Sequence, residues 1–359
     1  MAEPRSIRIS KLDQAVIGNQ TSKSTAEPEG PYFAIYDEAF EELLGPGPQI
    51  HLAVEQDWPF AHEAGVYIPD QDAVFVTSNR LGDGPSSSIK ISKVSRRSDG
   101  TWCSEQISTD VEMGNGGINY ESGVLFCSQG STSSPGGLVY MNPVPPFETR
   151  MLLDNFQGRQ FNSLNDVVVH TDGSIWFTDP IYGFEQGFRP EPQLRSLVYR
   201  FDPVSGDVRA VADGFGRPNG ICFSPDEQAL YVTDTDWIHG DGTTDEARAR
   251  TIYAFDVITR SNSHFLANKR LFATASTGIP DGIKCDLKGN VYSGCGDGLN
   301  VWSPGGSLIG KVVCPGGVAN FCFTRKGEIV LLNETRVWAV SVDKSVQGAL
   351  LHNMGIKVE

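Results

Sequence analysis

The sequence predicts an all-β chain folded as a six-bladed β-propeller with a short N-terminal arm. Three observations predict it. Short runs of alternating apolar and polar residues recur along the whole length, as half-buried strands require. Helical periodicity is scarce and confined to one segment near the start. Third, a unit repeats: a polar residue beside Gly, Ala or Asp, then a strand, a tight turn and a second strand. A two-sheet sandwich accounts for the alternation but not for the repeat.

Taken in chain order, residues 36–44 carry the one helical pattern, ended by Gly45-Pro46. The helix lies in an arm, residues 1–50, that packs on the propeller and is placed to lend a strand to the ring. Residues 51–359 form the propeller. Runs 73–77, 174–178, 229–233, 289–293 and 328–332 read as strands, set off by turns such as Asp172-Gly173, Pro225-Asp226 and Lys326-Gly327. The polar residues that open the repeats are Glu63, Asn115, Asn165, Asn219, Asp281 and Asn320. They stand 52, 50, 54, 62 and 39 residues apart. In an all-β chain that period marks propeller blades, because a sheet of about four strands cannot bury both faces alone and stacks radially on its neighbours.

Composition removes several functions. The 359 residues carry 29 Lys and Arg against 44 Asp and Glu, a formal charge of −15, with no basic cluster beyond Arg96-Arg97. Such a surface cannot replace the counterions on a phosphate backbone, so no nucleic-acid partner is expected. No apolar run approaches the ~18 residues of a membrane span. The first residues lack the continuous apolar stretch of a signal peptide, which leads to an expected cytoplasmic location. The seven cysteines form no C-x-x-C, and several sit in apolar runs; they read as buried free thiols of a reducing compartment. Asn19-Gln20-Thr21 and Asn333-Glu334-Thr335 match the glycosylation sequon but carry little weight without a leader.

The chemistry lies in the repeated polar residues. The innermost strands of a propeller line its axis, so a polar residue at the same place in every repeat converges there. Carboxylates from Glu63 and Asp281, with amides from Asn115, Asn165, Asn219 and Asn320, suit a hard cation such as Ca2+, which takes oxygen ligands. A Glu/Asn/Asn/Asp set balances a divalent charge. The bland alternative is that Asn-Gly and Asp-Gly pairs only make turns. His62, beside Glu63, is a candidate proton shuttle, although a lone His is more often structural. Tyr182 and Arg189, in a Gly- and Pro-rich segment, are candidate loop residues over the channel mouth. Other motifs fail. Gly305 to Lys311 resembles a phosphate loop, but Val312 stands where Ser or Thr would hold Mg2+, so it reads as a hairpin turn. Asp234-Thr235-Asp236 starts like a calcium loop, then places Ile238 and His239 at the next ligand and glycine positions. G-x-S-x-G and H-E-x-x-H are absent from the sequence.

With these residues laid out, the chain resembles the regucalcin–gluconolactonase superfamily, and within it the fungal lactonohydrolases that act on aldonate and pantoyl lactones. The resemblance spans roughly residues 32–340. It is carried by Phe60-Ala61-His62-Glu63-Ala64, Asn115-Gly116-Gly117, Asn162-Ser163-Leu164-Asn165-Asp166, Thr178-Asp179-Pro180, Arg217-Pro218-Asn219-Gly220, Tyr231-Val232-Thr233-Asp234 and Ile279-Pro280-Asp281-Gly282. The resemblance implies a divalent metal, most often Ca2+ with Zn2+, Mn2+ or Mg2+ as alternatives, held by Glu63, Asn165, Asn219 and Asp281. Many members carry Glu-Gly-Pro at the first ligand, and Glu29-Gly30-Pro31 has that order. Glu63 is preferred because it directly precedes a strand in phase with the other repeats. The implied activity is metal-dependent opening of a small lactone to a hydroxy acid, with Asp281, or His62 through water, as base. Asn115, Asn165, Tyr182 and Arg189 are the candidates for orienting substrate. Another reaction at the same metal (ester hydrolysis, isomerisation or cyclisation) and a non-catalytic interaction scaffold are the alternatives.

Overall fold

In a computed structural model, which describes residues 30–358, the six repeats become six antiparallel sheets arranged around one axis. Their innermost strands are Glu63–Ile68, Gly114–Tyr120, Val167–Val169, Pro218–Phe223, Ile283–Cys285 and Asn320–Phe323, in blades 1 to 6. Each inner strand contacts the next, and the sixth returns to the first, so the ring is closed. Asn115, Asn219 and their counterparts thus sit in or just before inner strands, which excludes the reading of their Asn-Gly pairs as turns.

The ring is fastened by the N-terminal segment. Gln49–Glu55 pairs with Arg336–Ser341 as the outermost strand of blade 6, with Leu52 opposite Trp338. Blade 6 is therefore built from both ends of the propeller sequence, and the expected boundary at residue 50 falls inside this strand. Tyr32–Ile35 adds a fifth strand to blade 5, against Leu308–Val313. Helix α1 (Glu38–Leu44) joins these two strands. Asp37 caps it by accepting a bond from the Ala39 N–H at 2.9 Å, and Gly45 ends it at φ 63°. The buried face of α1 is Phe40, Leu43 and Leu44. Gly310 makes room for it, since a Cβ there would lie 2.1 Å from the Phe40 ring. Burying one such aromatic contributes roughly 1.5–3 kcal/mol. The arm's residues 1–29, including Glu29 and the Asn19 sequon, lie outside the described residues. Among the described residues all seven cysteines are free, and no helix is long and apolar enough to cross a membrane.

The core lies between blades. Trp176, Phe223, Leu230 and Val232 pack blade 3 on blade 4, and Phe60, Val76, Val330 and Val337 pack blade 1 on blade 6. Helix α2 (Tyr182–Glu185) lies beyond the second strand of blade 3. Helix α3 (Ala349–Asn353) lies under the ring, with Leu350 against the inner strands of blades 3, 4 and 5. It stops the lower end of the channel.

Below blades 3 and 4, an ionic lock joins hairpin turns. Asp172 accepts from Ser174 N–H at 2.8 Å and Ser174 Oγ at 2.6 Å. Its other oxygen lies 3.3 Å from Arg200 Nη2 and 3.3 Å from His264 Nε2. His170, Asp172 and His264 are close enough to share a metal, but the Arg200 guanidinium already faces that carboxylate. Burial works to raise the Asp172 pKa; the bonds from His170 and Ser174 outweigh it and hold the carboxyl well below its ordinary value. A depressed carboxyl gives stability above its unfolded pKa, and that stability is lost as pH falls through the folded value. Asp172→Asn is therefore expected to lower the melting temperature at pH 7 by about 2–4 °C. Scanning calorimetry should show the gap closing below about pH 4; a gap that persists in acid contradicts the charge argument.

Candidate active site

Five of the six polar residues meet at the upper end of the channel, and the sixth, Asn320, is buried behind Glu63. Glu63, Asn115, Asn165, Asn219 and Asp281 line one cavity of about 390 Å³, with His62, Ser78, Asn79, Arg80, Gln129 and Tyr182 on its walls. Its floor is fixed by contacts between blades. The threonine ending or nearly ending a second strand donates its hydroxyl to the carbonyl of the next blade's polar residue: Thr77 to Asn115 at 3.1 Å, Thr178 to Asn219 at 2.6 Å and Thr233 to Asp281 at 3.1 Å. The glycines that follow permit this approach. A Cβ on Gly116 would lie 2.5 Å from the Asn165 oxygen, one on Gly220 2.4 Å from the Asp281 oxygen, and one on Gly282 2.3 Å from the Asn320 side chain. Glycine is required here for space, not for a left-handed backbone. Gly220→Ala must displace Asp281, and we expect at least tenfold weaker Ca2+ binding by calorimetric titration. Unchanged affinity would show that the floor yields without cost.

Glu63 is buried, and its Oε2 accepts from Asn320 Nδ2 at 2.6 Å. The Asn320 amide is held the other way by Lys284 Nζ, 2.9 Å from Oδ1, and by the Phe321 N–H at 2.8 Å. Two donors on that oxygen leave the NH2 group to face Glu63. Burial raises the Glu63 carboxyl above its ordinary range, and the neighbouring Asp281 charge raises it further. Burial also raises Asp281, against the lowering pull of His62. Two carboxylates in contact in a poorly solvated pocket repel unless a cation joins them.

The side-chain oxygens Asn165 Oδ1, Asn219 Oδ1 and Asp281 Oδ1 are buried and have no hydrogen-bond partner. One such orphan costs about 1–3 kcal/mol, and three around one cavity are an anomaly for a pocket holding only protein. His62, Glu63 and Asp281 also offer ligand atoms within 4.8 Å of one another. The residues present fit a divalent cation with oxygen ligands.

His62 forms the cavity edge. Its Nδ1 lies 2.6 Å from Glu334 Oε1, and Glu334 Oε2 accepts from Asn79 Nδ2 at 3.1 Å. Burial works to lower the His62 pKa, but Glu334 outweighs it, joined by Glu63 and Asp281, and the ring is raised to about 10. Sequence reading missed Glu334. It follows the strand Glu328–Asn333 and reaches His62 from 272 residues away, across the seam that closes the ring. Read locally, it was only the middle of a sequon.

The structure separates the remaining candidates. Asn115 lines the cavity. Tyr182 does too, but its hydroxyl is committed to Thr235, so it offers the wall a ring rather than a donor. Arg189 does not line it. Its guanidinium binds the carbonyls of Ser131, Ser134, Phe161 and Asn162, at 2.7–2.8 Å, and clamps loops together. The expected role in holding substrate gives way to that clamp. Arg217 plays the same part between blades 3 and 4, bound to Glu185 and Asp236.

Residues 57–331 match the family model described as the SMP-30/Gluconolactonase/LRE-like region. The lactonohydrolase oryL of Aspergillus oryzae is 29% identical over 87% of this chain and 74% of its own length. The gluconolactonase of Zymomonas mobilis is 29% identical over 56% of each chain. Among solved structures, a gluconolactonase from Xanthomonas campestris superposes with a TM-score of 0.68 at 25% identity, covering 89% of this chain and 99% of that one.

Proposed function

Because the chain belongs to the SMP-30/gluconolactonase/LRE-like family, we propose that it is a hydrolase opening the ester ring of a small lactone to a hydroxy acid, with a divalent cation in the cavity. Its named relatives, a lactonohydrolase and a gluconolactonase, support the ring opening. The observation that carries the cation is the trio of buried oxygens without partners, on Asn165, Asn219 and Asp281, beside the Glu63 carboxylate. Glu63, Asn165, Asn219 and Asp281 would hold it. An all-oxygen set with two carboxylates favours Ca2+ ahead of Zn2+, Mn2+ or Mg2+. When bound, such a cation supplies positive charge at the carbonyl oxygen that turns anionic on attack, and beside His62, where it opposes protonation of the ring.

The chain's own residues do the rest. His62 accepts the proton of the attacking water at Nε2, because Nδ1 is held by Glu334. The Glu334 carboxylate fixes the ring's orientation and stabilises the imidazolium that forms. Asp281 stays a ligand rather than the base. Lys284 and Asn320 keep the Glu63 carboxylate turned to the cavity. Asn115 and Gln129 present amides along the wall for the hydroxyl and ring oxygens of the substrate. The test is a pH-stat assay on a lactone panel, with EDTA and then Ca2+ returned. Ring opening lost and restored supports the reading, and ring opening indifferent to EDTA overturns its metal part.

A further inference from the structure

The cavity wall holds an arginine that the proposed reaction does not use. Arg80 lines the cavity at the base of the loop that follows the second strand of blade 1. The guanidinium is anchored by one nitrogen only: Nη1 lies 2.6 Å from the Gly82 carbonyl, 3.2 Å from Asp83 Oδ1 and 3.3 Å from Ser87 Oγ. The backbone is anchored too, since Arg80 N–H donates to Asn79 Oδ1 at 2.7 Å, and Asn79 N–H donates to the Pro59 carbonyl at 2.9 Å. Nε and Nη2 bond to none of the described residues. Nε–H and one N–H of Nη2 form the side-on edge of the guanidinium, whose two parallel donors match the two oxygens of a carboxylate.

Charge balance leads to the same ligand. Glu63 and Asp281 bring two negative charges to the floor, which a dication offsets. His62 is paired with Glu334. Arg80 has Asp83 as its ion-pair partner, but the Asp83 side chain is 98% exposed, so water screens most of that attraction. The other arginines near the site, Arg189 and Arg217, are engaged on both nitrogen edges. Arg80 therefore presents a pre-anchored fork with no buried ion-pair partner of its own. A neutral lactone has no group to meet it.

We infer that Arg80 determines specificity, its free Nε–Nη2 edge receiving a carboxylate carried by the substrate, so that the preferred substrates are lactones of hydroxy-dicarboxylic or -tricarboxylic acids. This rests on the lactonase reading. The second carboxylate takes no part in ring opening, and Arg80 acts as a binding group.

The probe pair is the γ-lactone of 2-hydroxyglutaric acid as the free carboxylate and as its methyl amide. The wild-type protein should prefer the carboxylate at least tenfold in kcat/KM, and added salt should reduce the preference. In Arg80→Gln the ratio of the two kcat/KM values should fall at least tenfold, to about one, as expected for losing a charged hydrogen-bonded pair. Arg80→Lys keeps the charge without the fork and should recover only part of the ratio. A wild-type protein that treats the pair alike, or a ratio unmoved in Arg80→Gln, overturns the inference while leaving the lactonase reading standing. Opening of neither lactone counts against that reading instead. Calorimetric binding of the 2-hydroxyglutarate dianion then decides for Arg80: tenfold weaker binding in Arg80→Gln supports it, and equal or absent binding to both proteins overturns it.

Discussion

Asp281→Ala should abolish both activity and metal binding. The carboxylate supplies one of the two charges on the floor and one of its three unpartnered oxygens. Its removal relieves the like-charge repulsion that raises the Glu63 carboxyl, but leaves Glu63 as the one remaining negative charge on the floor, too little to hold a dication. We expect ring opening to fall at least about 10³-fold, in line with losing the charge that stabilises an oxyanion. Calcium titration by calorimetry should show no saturable heat. The fold should survive, because the Thr233 hydroxyl bonds to the Asp281 backbone carbonyl, which alanine retains. A variant that still binds Ca2+ tightly would remove Asp281 from the ligand set. Activity restored to the EDTA-treated wild type by Zn2+ and not by Ca2+ would make His62 a ligand, since a metal-bound imidazole commonly gives its other N–H to a carboxylate.

Glu334→Gln tests the other half of the site. The substitution preserves shape and leaves an amide to meet Asn79, but it removes the charge that orients His62 and favours its imidazolium. We expect kcat to fall about 10²-fold, in the range for disabling a positioned general base, while Ca2+ affinity stays within a few-fold. A double variant with His62→Ala should be no worse than His62→Ala alone, because the two side chains act as one unit. Full activity in Glu334→Gln would return the base to Asp281.

Much of this site was legible in the chain. The alternation of residues 73–77 or 229–233 marks a strand whatever surrounds it, and the recurrence of Glu63, Asn115, Asn165, Asn219, Asp281 and Asn320 places them on one axis once blades are assumed. Helix α1 was legible too, because its cap and stop are local. The relation between residues far apart was not. Glu334 meets His62 only because Gln49–Glu55 closes blade 6 and brings the two ends of the ring together. Arg189 looked like a mouth residue because its neighbours are turn-formers, but its partners are backbone carbonyls, which leave no trace in a sequence. For the glycines beside the anchors the sequence offers only turn-making, as an alternative to a site. Their true reason, the lack of room for a Cβ, exists only after the neighbouring blade is in place.

The hydroxyl and glycine contacts between blades have an evolutionary consequence. The floor is gauged by backbone atoms of one blade resting on the next, whereas the rim is made of loops pinned by their own arginines: Arg80 on the 79–90 loop, Arg189 and Arg217 on the segments near α2. The two layers are held by different kinds of contact, so exchange of a rim loop is expected to change the substrate taken without recalibrating the distances among the floor oxygens. Grafting a rim loop from a relative with different specificity should transfer selectivity and leave the cation affinity where it was.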